Sequence, residues 1–477
     1  MARGIAAVQL ESEPLKSTSK GAKYPCYIGQ APIWQVDTKD WQNLAGSTLV
    51  ISSIKEMRNK LGYFKPECGA WPKEFSLCMA ADYHFGIKMI GPIIVLVNKA
   101  AIVLNETEEQ EITFKDGAAE IDSPYIVLST VSITGKEKGV DYQAEYDEYG
   151  RKVKILALTE ILNATISYQK VNTESLVFQV DTLEELDFLE QTAGTTTDIV
   201  SVPLWENEVS QGERIGKILV DKIQEPLNSH WYVQTCLQIP GETITEALES
   251  KKAYRDYRAK ACWPCAEKEG CIYPLSVVFI ATKQEVDSEN EGIPCESASN
   301  ELIDIDGLCT DTRGKIRMKE ADATRLNNYG IATANFSMMQ WVTWGVCMSN
   351  YEEKSKQDIP PDKLNDVAVQ MKDYISNVFQ ERYARQIDKP MGVRQARNIV
   401  NDFQIYLDSL SRSGALIAGS ILFSPNENST AQLADGEFVF SISEANTPPG
   451  KAITGKIAYY PGALENYFRE MGGEEEE

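Results

Sequence analysis

Residues 360–423 read PPDKLNDVAVQMKDYISNVFQERYARQIDKPMGVRQARNIVNDFQIYLDSLSRSGALIAGSILF and carry the clearest secondary-structure pattern in the chain. After the double proline, apolar residues recur at helical spacing over 364–379, which predicts a helix with one apolar side. Pro390 then interrupts the pattern, and a second stripe over 396–410 predicts another helix, which ends at Gly414. We interpret both stripes as faces that pack in a core.

Outside the two helices, apolar runs and helical stripes alternate, which is the order expected of a layered α/β protein. The pattern predicts strands over 24–29, 93–97, 198–204, 232–238, 277–281, 415–423, 437–443 and 451–460. It predicts further helices over 53–61, 74–85, 213–223 and 245–261. The polar stretch 285–320 has little periodicity and predicts a long surface loop or interdomain connection.

Residues 123–171 follow a different pattern, because apolar and polar residues alternate there between turn formers such as Gly135 and Gly139. Several short strands at regular spacing indicate a small β-sandwich inserted into the α/β part. A chain of 477 residues also exceeds what one core organises, so we expect roughly two to four domains.

The predicted fold class is a multidomain α+β and α/β protein, with layered α/β domains, the inserted sandwich and extended terminal arms. The expected parts are an N-terminal arm over 1–23, a discontinuous α/β domain over 24–100 and 196–325, an inserted outer domain over 101–195, a C-terminal domain over 326–450, and a C-terminal arm with an acidic tail over 451–477.

Composition excludes several function classes. The 47 Lys and Arg against 70 Asp and Glu give a net charge of −23, which disfavours binding to nucleic acid or to anionic lipid. The longest apolar runs fall far short of the ~20 residues of a membrane span, so we expect no membrane insertion. Only two histidines are present, far apart, and no phosphate-binding glycine loop or nucleophile elbow occurs. We expect no cofactor, no metal and no catalytic residue.

Cys262-Trp-Pro-Cys265 is the one cysteine spacing that suggests a reactive or metal-binding site. Two thiols three apart could bind zinc or cycle as a disulfide. The pair follows a predicted helix rather than opening one, and the next cysteines, Cys271 and Cys295, match no common zinc pattern. We interpret the pair as structural, and a cytosolic thiol enzyme stays as an alternative.

A locally basic stretch stands out against the acidic chain. Residues 378–412 hold six basic residues against four acidic ones, and Arg382, Arg385, Arg394 and Arg397 belong to the predicted helices or their connection. This arrangement predicts a positive patch that faces an acidic partner surface, either another copy of the chain or an inner structure.

An ordered series of short motifs lies at 138–142, 241–248, 273–276, 293–300, 327–333, 344–345, 387–390, 407–419, 436–442 and 447–449. This series resembles the contractile-tail sheath protein family, which forms the sheaths of bacteriophage tails and of phage-tail-like bacteriocins. Together they extend over most of 24–460. The chain departs from the family at 365–370, where the usual arginine-rich stretch at the start of the first helix is absent.

The resemblance implies a structural, non-enzymatic subunit that stacks in sixfold rings around an inner tube and contracts by subunit rotation to drive the tube through a cell envelope. It implies terminal arms that add strands to a neighbour's sheet, here through Ile5, Val8, Leu10, Ile453, Ile457 and Tyr459. The implied partners are copies of itself, the inner tube protein, and baseplate and tail terminator proteins. The implied location is the tail sheath of a virion or tail-like particle, assembled in the bacterial cytoplasm. Another virion tail component is the second alternative.

Overall fold

The computed structural model describes residues 16–17 and 23–471. The described residues up to Thr447 form one compact unit, and those from Pro448 onward form a second unit, which is described by itself below. No helix in the described part of the chain is long and apolar enough to cross a membrane.

An eight-stranded sheet forms the centre of the first unit. In spatial order its strands are Gln340–Trp344, Ile331–Ser337, Ala259–Cys262, Gln234–Gln238, Ile199–Ser201, Cys26–Gly29, Ile93–Val97 and Thr48–Ile51. Neighbours are parallel except at the two edges, where the outermost strand is antiparallel. Parallel strands are typically covered on both faces, which explains why Ile93–Val97 is apolar and buried throughout.

Helices cover both faces of this sheet. Alternate residues of Ile93–Val97 enter two different cores, with Ile93 and Val95 in one and Ile94 and Leu96 in the other. The α-helices of this part are Ile54–Leu61, Ser76–Ala81, Leu189–Ala193, Ile215–Lys222, Ile244–Ser250, Leu275–Glu289 and Glu320–Asn327. A π-helix, Asp82–Lys88, and 3₁₀ turns, including Val180–Phe188, complete it.

Two of the predicted elements are wrong. The predicted strand over 277–281 is part of the helix Leu275–Glu289, whose residues are buried around most of its circumference, so its apolar run lacks helical periodicity. The predicted helix over 245–261 ends as an α-helix at Ser250 and, after a 3₁₀ turn, gives way to the strand Ala259–Cys262.

Residues 285–320 form the predicted long loop only in part, because helix and strand residues lie on both sides of the irregular stretch 290–306. They contain the end of the helix Leu275–Glu289 and two short strands of a five-stranded sheet. In spatial order the strands of that sheet are Lys315–Ile316, Gly307–Cys309, Cys265–Lys268, Cys271–Pro274 and Gly69–Ala70. The strands are too short to produce a periodic signal. The predicted helix over 74–85 is likewise divided into a 3₁₀ turn, an α-helix and the π-helix.

The segment between the strands Ile93–Val97 and Ile199–Ser201 holds two three-stranded antiparallel sheets. One consists of Tyr142–Tyr146, Lys152–Ala157 and Ala118–Asp122, and the other of Glu108–Thr113, Asn163–Tyr168 and Ser132–Ile133. One cluster of buried apolar side chains contains members of both sheets. Two-residue strand pairs, Lys16–Ser17 with Ile90–Gly91 and Val209–Ser210 with Glu213–Arg214, lie elsewhere in the unit.

The last part of the first unit contains the two helices predicted over 364–379 and 396–410. They span Asp366–Tyr383 and Val393–Ser413, which confirms both predictions. They pack with an antiparallel ribbon formed by the strands Leu416–Leu422 and Ser441–Asn446, and a short helix, Thr430–Asp435, lies between those strands. We call these two strands the ribbon.

The second unit has one helix, Pro461–Met471, within its described residues. Residues 448–460 have no regular secondary structure, so the strand predicted over 451–460 does not form in the single chain. A strand needs a partner to satisfy its backbone hydrogen bonds, and no described strand pairs with this segment.

Candidate functional site

The helix Asp366–Tyr383 has two buried sides. One side packs against the second helix and the ribbon, and the other contacts residues of the eight-stranded sheet or next to it. Asn365 caps the helix by accepting a hydrogen bond from the backbone N–H of Ala368 at 2.9 Å. One side is apolar and packs in the core shared with the second helix and the ribbon, through Val367, Met371 and Ile375. The other buried side is polar, with Asp366, Asp373 and Asn377.

Each polar residue of that second side has a partner on or next to the eight-stranded sheet. Arg258 lies 2.7 Å from the Asp373 carboxylate, and the Gln234 amide donates to the same oxygen at 3.3 Å. Asn377 both accepts from and donates to the backbone of Tyr232, at 3.0 Å in each case. These bonds fix the position of the helix on the sheet.

A second buried ion pair lies at the N-terminal end of the same helix. Lys260, in the strand Ala259–Cys262, lies 3.0 Å from Asp366 and donates to the carbonyl of Gly345 at 2.8 Å. Burial opposes the charge of Lys260, yet the Asp366 carboxylate keeps the pKa of Lys260 above its ordinary value. Burial raises the pKa of Asp373, while the Arg258 guanidinium acts in the opposite direction.

Sequence reasoning missed this polar interface. Asp366, Asp373 and Asn377 are spaced by seven and four residues, which places them on one side of a helix. That spacing was visible in the sequence, but polar residues on one side of a helix normally indicate a solvated face. The partners Arg258 and Lys260 lie more than 100 residues away and gave no local signal.

The second helix holds the ribbon through a side chain that bonds to the backbone of the ribbon. The Gln404 side chain donates to the carbonyl of Gly419 at 3.0 Å and accepts from the N–H of Ile421 at 3.1 Å. A Cβ atom added at Gly419 would lie 3.1 Å from Leu407, so a side chain there would push the strand from the helix. Glycine is therefore needed where the strand crosses the helix.

The ribbon has no third strand on either outer edge among the described residues. Its two strands pair only with each other among the described residues. On the outer edge of Leu416–Leu422 the Gln404 side chain already binds Gly419 and Ile421, whereas no described strand or side chain binds the backbone along the outer edge of Ser441–Asn446. Ile417 and Leu422 are 64% and 63% exposed on its strands. An exposed edge of this kind is a template for strand addition by another chain.

The predicted basic residues are all exposed and do not form one cluster of contacts. Arg382 lies 3.7 Å from Asp402 and its guanidinium stacks over Tyr406, with 4.1 Å to the ring centroid. Arg385 lies in the connection between the two helices. Among the described residues, no ion pair involves Arg385 or the two remaining predicted positions, Arg394 and Arg397, which share one side of the second helix.

The predicted arm residues are placed in part. Ile453, Ile457 and Tyr459 are 97%, 99% and 75% exposed in the irregular segment of the second unit. Such exposure of three large apolar side chains leaves them available to a partner. Ile5, Val8 and Leu10 lie outside the described residues.

The two thiols of the Cys-Trp-Pro-Cys motif are buried in adjoining strands. Cys262 ends the strand Ala259–Cys262, and Cys265 begins the strand Cys265–Lys268. Burial raises the pKa of both thiols well above its ordinary value. A reactive cysteine needs the opposite, an exposed thiol with a lowered pKa, so the geometry favours a structural role.

Comparisons with known proteins identify the fold. No family model and no curated protein matches the chain. A chain of the anti-feeding prophage baseplate, whose structure was sixfold symmetrised, aligns with 96% of this chain and 100% of its own length, at 12% identity and a TM-score of 0.57. The sheath tail protein of Desulfitobacterium hafniense aligns with 93% of this chain and 100% of its own length, at 10% identity and a TM-score of 0.51. The resemblance seen in the sequence motifs is thereby confirmed at the level of the fold: this chain has the fold of the tail sheath proteins.

Proposed function

We propose that this chain is the structural subunit of a contractile tail sheath. In this proposal, copies stack as sixfold rings around an inner tube, and the sleeve contracts by rotation of the subunit bodies. The single observation that carries the proposal is the likeness to a sheath tail protein over nearly the full length of both chains.

The open ribbon supports strand addition as the linkage between copies. Among the described residues, no third strand pairs with Leu416–Leu422 or Ser441–Asn446, and no strand pairs with the segment 451–460, which has the alternating pattern of a strand. Addition of this segment to the ribbon of a neighbouring copy would satisfy the backbone groups of both. Each backbone hydrogen bond contributes ~0.5–1.5 kcal/mol net, so several bonds per arm can hold copies together while other contacts exchange. The N-terminal arm, residues 1–23, is proposed to act in the same way.

Charge supports a separate role for the exposed arginines. Copies with a net charge of −23 repel one another, so favourable contacts must involve local positive surface. Arg385, Arg394 and Arg397 are exposed, and we propose that they face the inner tube or an acidic surface of an adjacent copy. The inserted segment 101–195 is proposed to lie on the outer surface of the sleeve, away from those contacts. Tube, baseplate and terminator proteins complete the proposed set of partners.

Negative-stain microscopy of the purified protein tests the proposal most directly. The expected result is striated sleeves, or rings that stack into sleeves as the protein concentration rises. The variant with Ser at both Ile453 and Ile457 should lose sleeves, because both side chains lie on one side of the proposed added strand. Thr454→Ser, on the other side of that strand, is the matched control and should assemble normally. A wild-type protein that remains monomeric at every salt and protein concentration would refute the proposal.

One observation favours a second candidate, a sheath-fold component located at the end of the tail. The anti-feeding prophage chain that this protein resembles belongs to a baseplate structure. Such a component would form a single ring and would not extend into a sleeve. The same micrographs separate the two, because isolated rings without growth on raising the concentration would support the second candidate.

A further inference from the structure

The helix Pro461–Met471 has an apolar side that is open to solvent. Leu464, Tyr467 and Phe468 are 54%, 59% and 60% exposed, and their spacing of three and four residues places them on one side of the helix. The rings of Tyr467 and Phe468 lie 5.5 Å apart. A helix of 11 residues is marginal in water by itself, so this helix needs a surface on which to pack.

On the side away from the paired helices, the ribbon offers a surface of small and apolar side chains, with the Glu427 carboxylate bonded to the Ser441 hydroxyl at one end. Ile417 and Leu422 are exposed there, and the other outward positions are small and uncharged: Ala418, Ser420, Ser441, Ser443 and Ala445. A quarter of all residues in the chain are charged, yet none of these positions is. The surface therefore combines apolar contact with little charge repulsion between acidic copies.

The dimensions of the two elements agree. A helix of 11 residues is about 16 Å long at 1.5 Å per residue. The ribbon strands have seven and six residues, which is about 20 Å at 3.3 Å per residue. The helix can thus lie along the ribbon without overhanging it, and the small outward side chains leave room for its large ones.

We propose that the helix Pro461–Met471 of one copy packs its apolar side onto the outward face of the ribbon of a neighbouring copy. The inference rests on the proposed function, because the segment 451–460 that would add to the ribbon edge ends where the helix begins. The added strand brings the helix to the rim of that face. The C-terminal segment then makes two contacts with its neighbour, a backbone contact along the edge and an apolar contact across the face.

Sleeve stability tests the apolar contact. The variant with Ser at both Leu464 and Phe468 should raise the protein concentration needed for half-assembly at least tenfold. Asn466→Ala changes an exposed residue on another side of the same helix and should change that concentration less than twofold. Sleeves of unchanged stability in the double variant would overturn the inference and leave the proposed function intact.

Crosslinking identifies the occupant of the ribbon face. A photoreactive benzophenone amino acid is placed at position 467, and sleeves are assembled from a mixture of ¹⁴N- and ¹⁵N-labelled protein. Mass spectrometry should find crosslinks to residues 416–422 or 441–446 that join the two isotopic forms. Crosslinks confined to one form, or crosslinks to another surface, would overturn the inference. Failure of the wild-type protein to form any sleeve or ring would overturn the proposed function itself, and this inference with it.

Discussion

The ion pair between Asp373 and Arg258 should determine how firmly the paired helices are held on the sheet. Asp373→Leu removes the carboxylate that lies 2.7 Å from Arg258, whose side chain is only 6% exposed. Removing one partner of a buried pair typically costs about 3–5 kcal/mol, because the other charge stays buried without compensation. Arg258 keeps a stacking contact with Tyr232, 5.0 Å from the ring centroid, so we expect the lower end of that range.

Hydrogen exchange on the full chain measures this cost locally. A loss of about 3 kcal/mol corresponds to a roughly 100-fold rise in the opening of the helix Asp366–Tyr383, read from its backbone amides. Replacing both partners, with Leu at 373 and Met at 258, removes the unpaired charge and should restore protection to within about 1 kcal/mol of the wild type. If the double variant loses as much as the two single variants added together, the pair is not coupled and the reasoning fails.

Three further predictions concern the interior of the first unit. Burial raises the pKa of Glu206 to about 8, so the folded chain holds more protons than the unfolded chain between about pH 4.5 and 8, and stability should fall as pH rises through that window. Glu206→Gln should be more stable than the wild type at pH 9 by up to about 5 kcal/mol and nearly equal to it at pH 4.5, as measured by urea unfolding. Replacing Cys262 and Cys265 together with Ser should leave sleeves intact in micrographs, whereas a thiol enzyme would lose its turnover. Gly419→Val should destabilise the ribbon by about 1–3 kcal/mol through its contact with Leu407, and unchanged thermal unfolding of this variant would contradict the packing described.

The strong local patterns in the sequence predicted the elements whose apolar residues form a clear stripe or run. The helices Asp366–Tyr383 and Val393–Ser413 and the strand Ile93–Val97 have nearly the predicted bounds. Each is long enough or apolar enough that the pattern of its own residues predicts which of them are buried. The motif series likewise predicted the sheath fold, because those motifs are short stretches that can be recognised without tertiary contacts.

The elements that the sequence misplaced depend on distant contacts. The helix Leu275–Glu289 is surrounded by core side chains, so its apolar run over 277–281 has the composition of a buried strand. The short strands Gly307–Cys309 and Lys315–Ile316 exist because the strand Cys265–Lys268 lies beside them in space. A short window of sequence contains neither the core side chains around the helix nor the neighbouring strand. Tertiary contacts then override the local propensity.

The candidate site divides in the same way. The sequence by itself predicted which residues contact another copy, because the alternating pattern of 451–460 and the basic composition of 378–412 are properties of short stretches. Only the tertiary structure decided that Asp373 meets Arg258, that Asp366 meets Lys260, and that the ribbon pairs with no third strand among the described residues. A buried charge needs a partner of opposite charge beside it. Here each partner is distant in the sequence, so its position is fixed by the packing of the whole fold rather than by any local pattern.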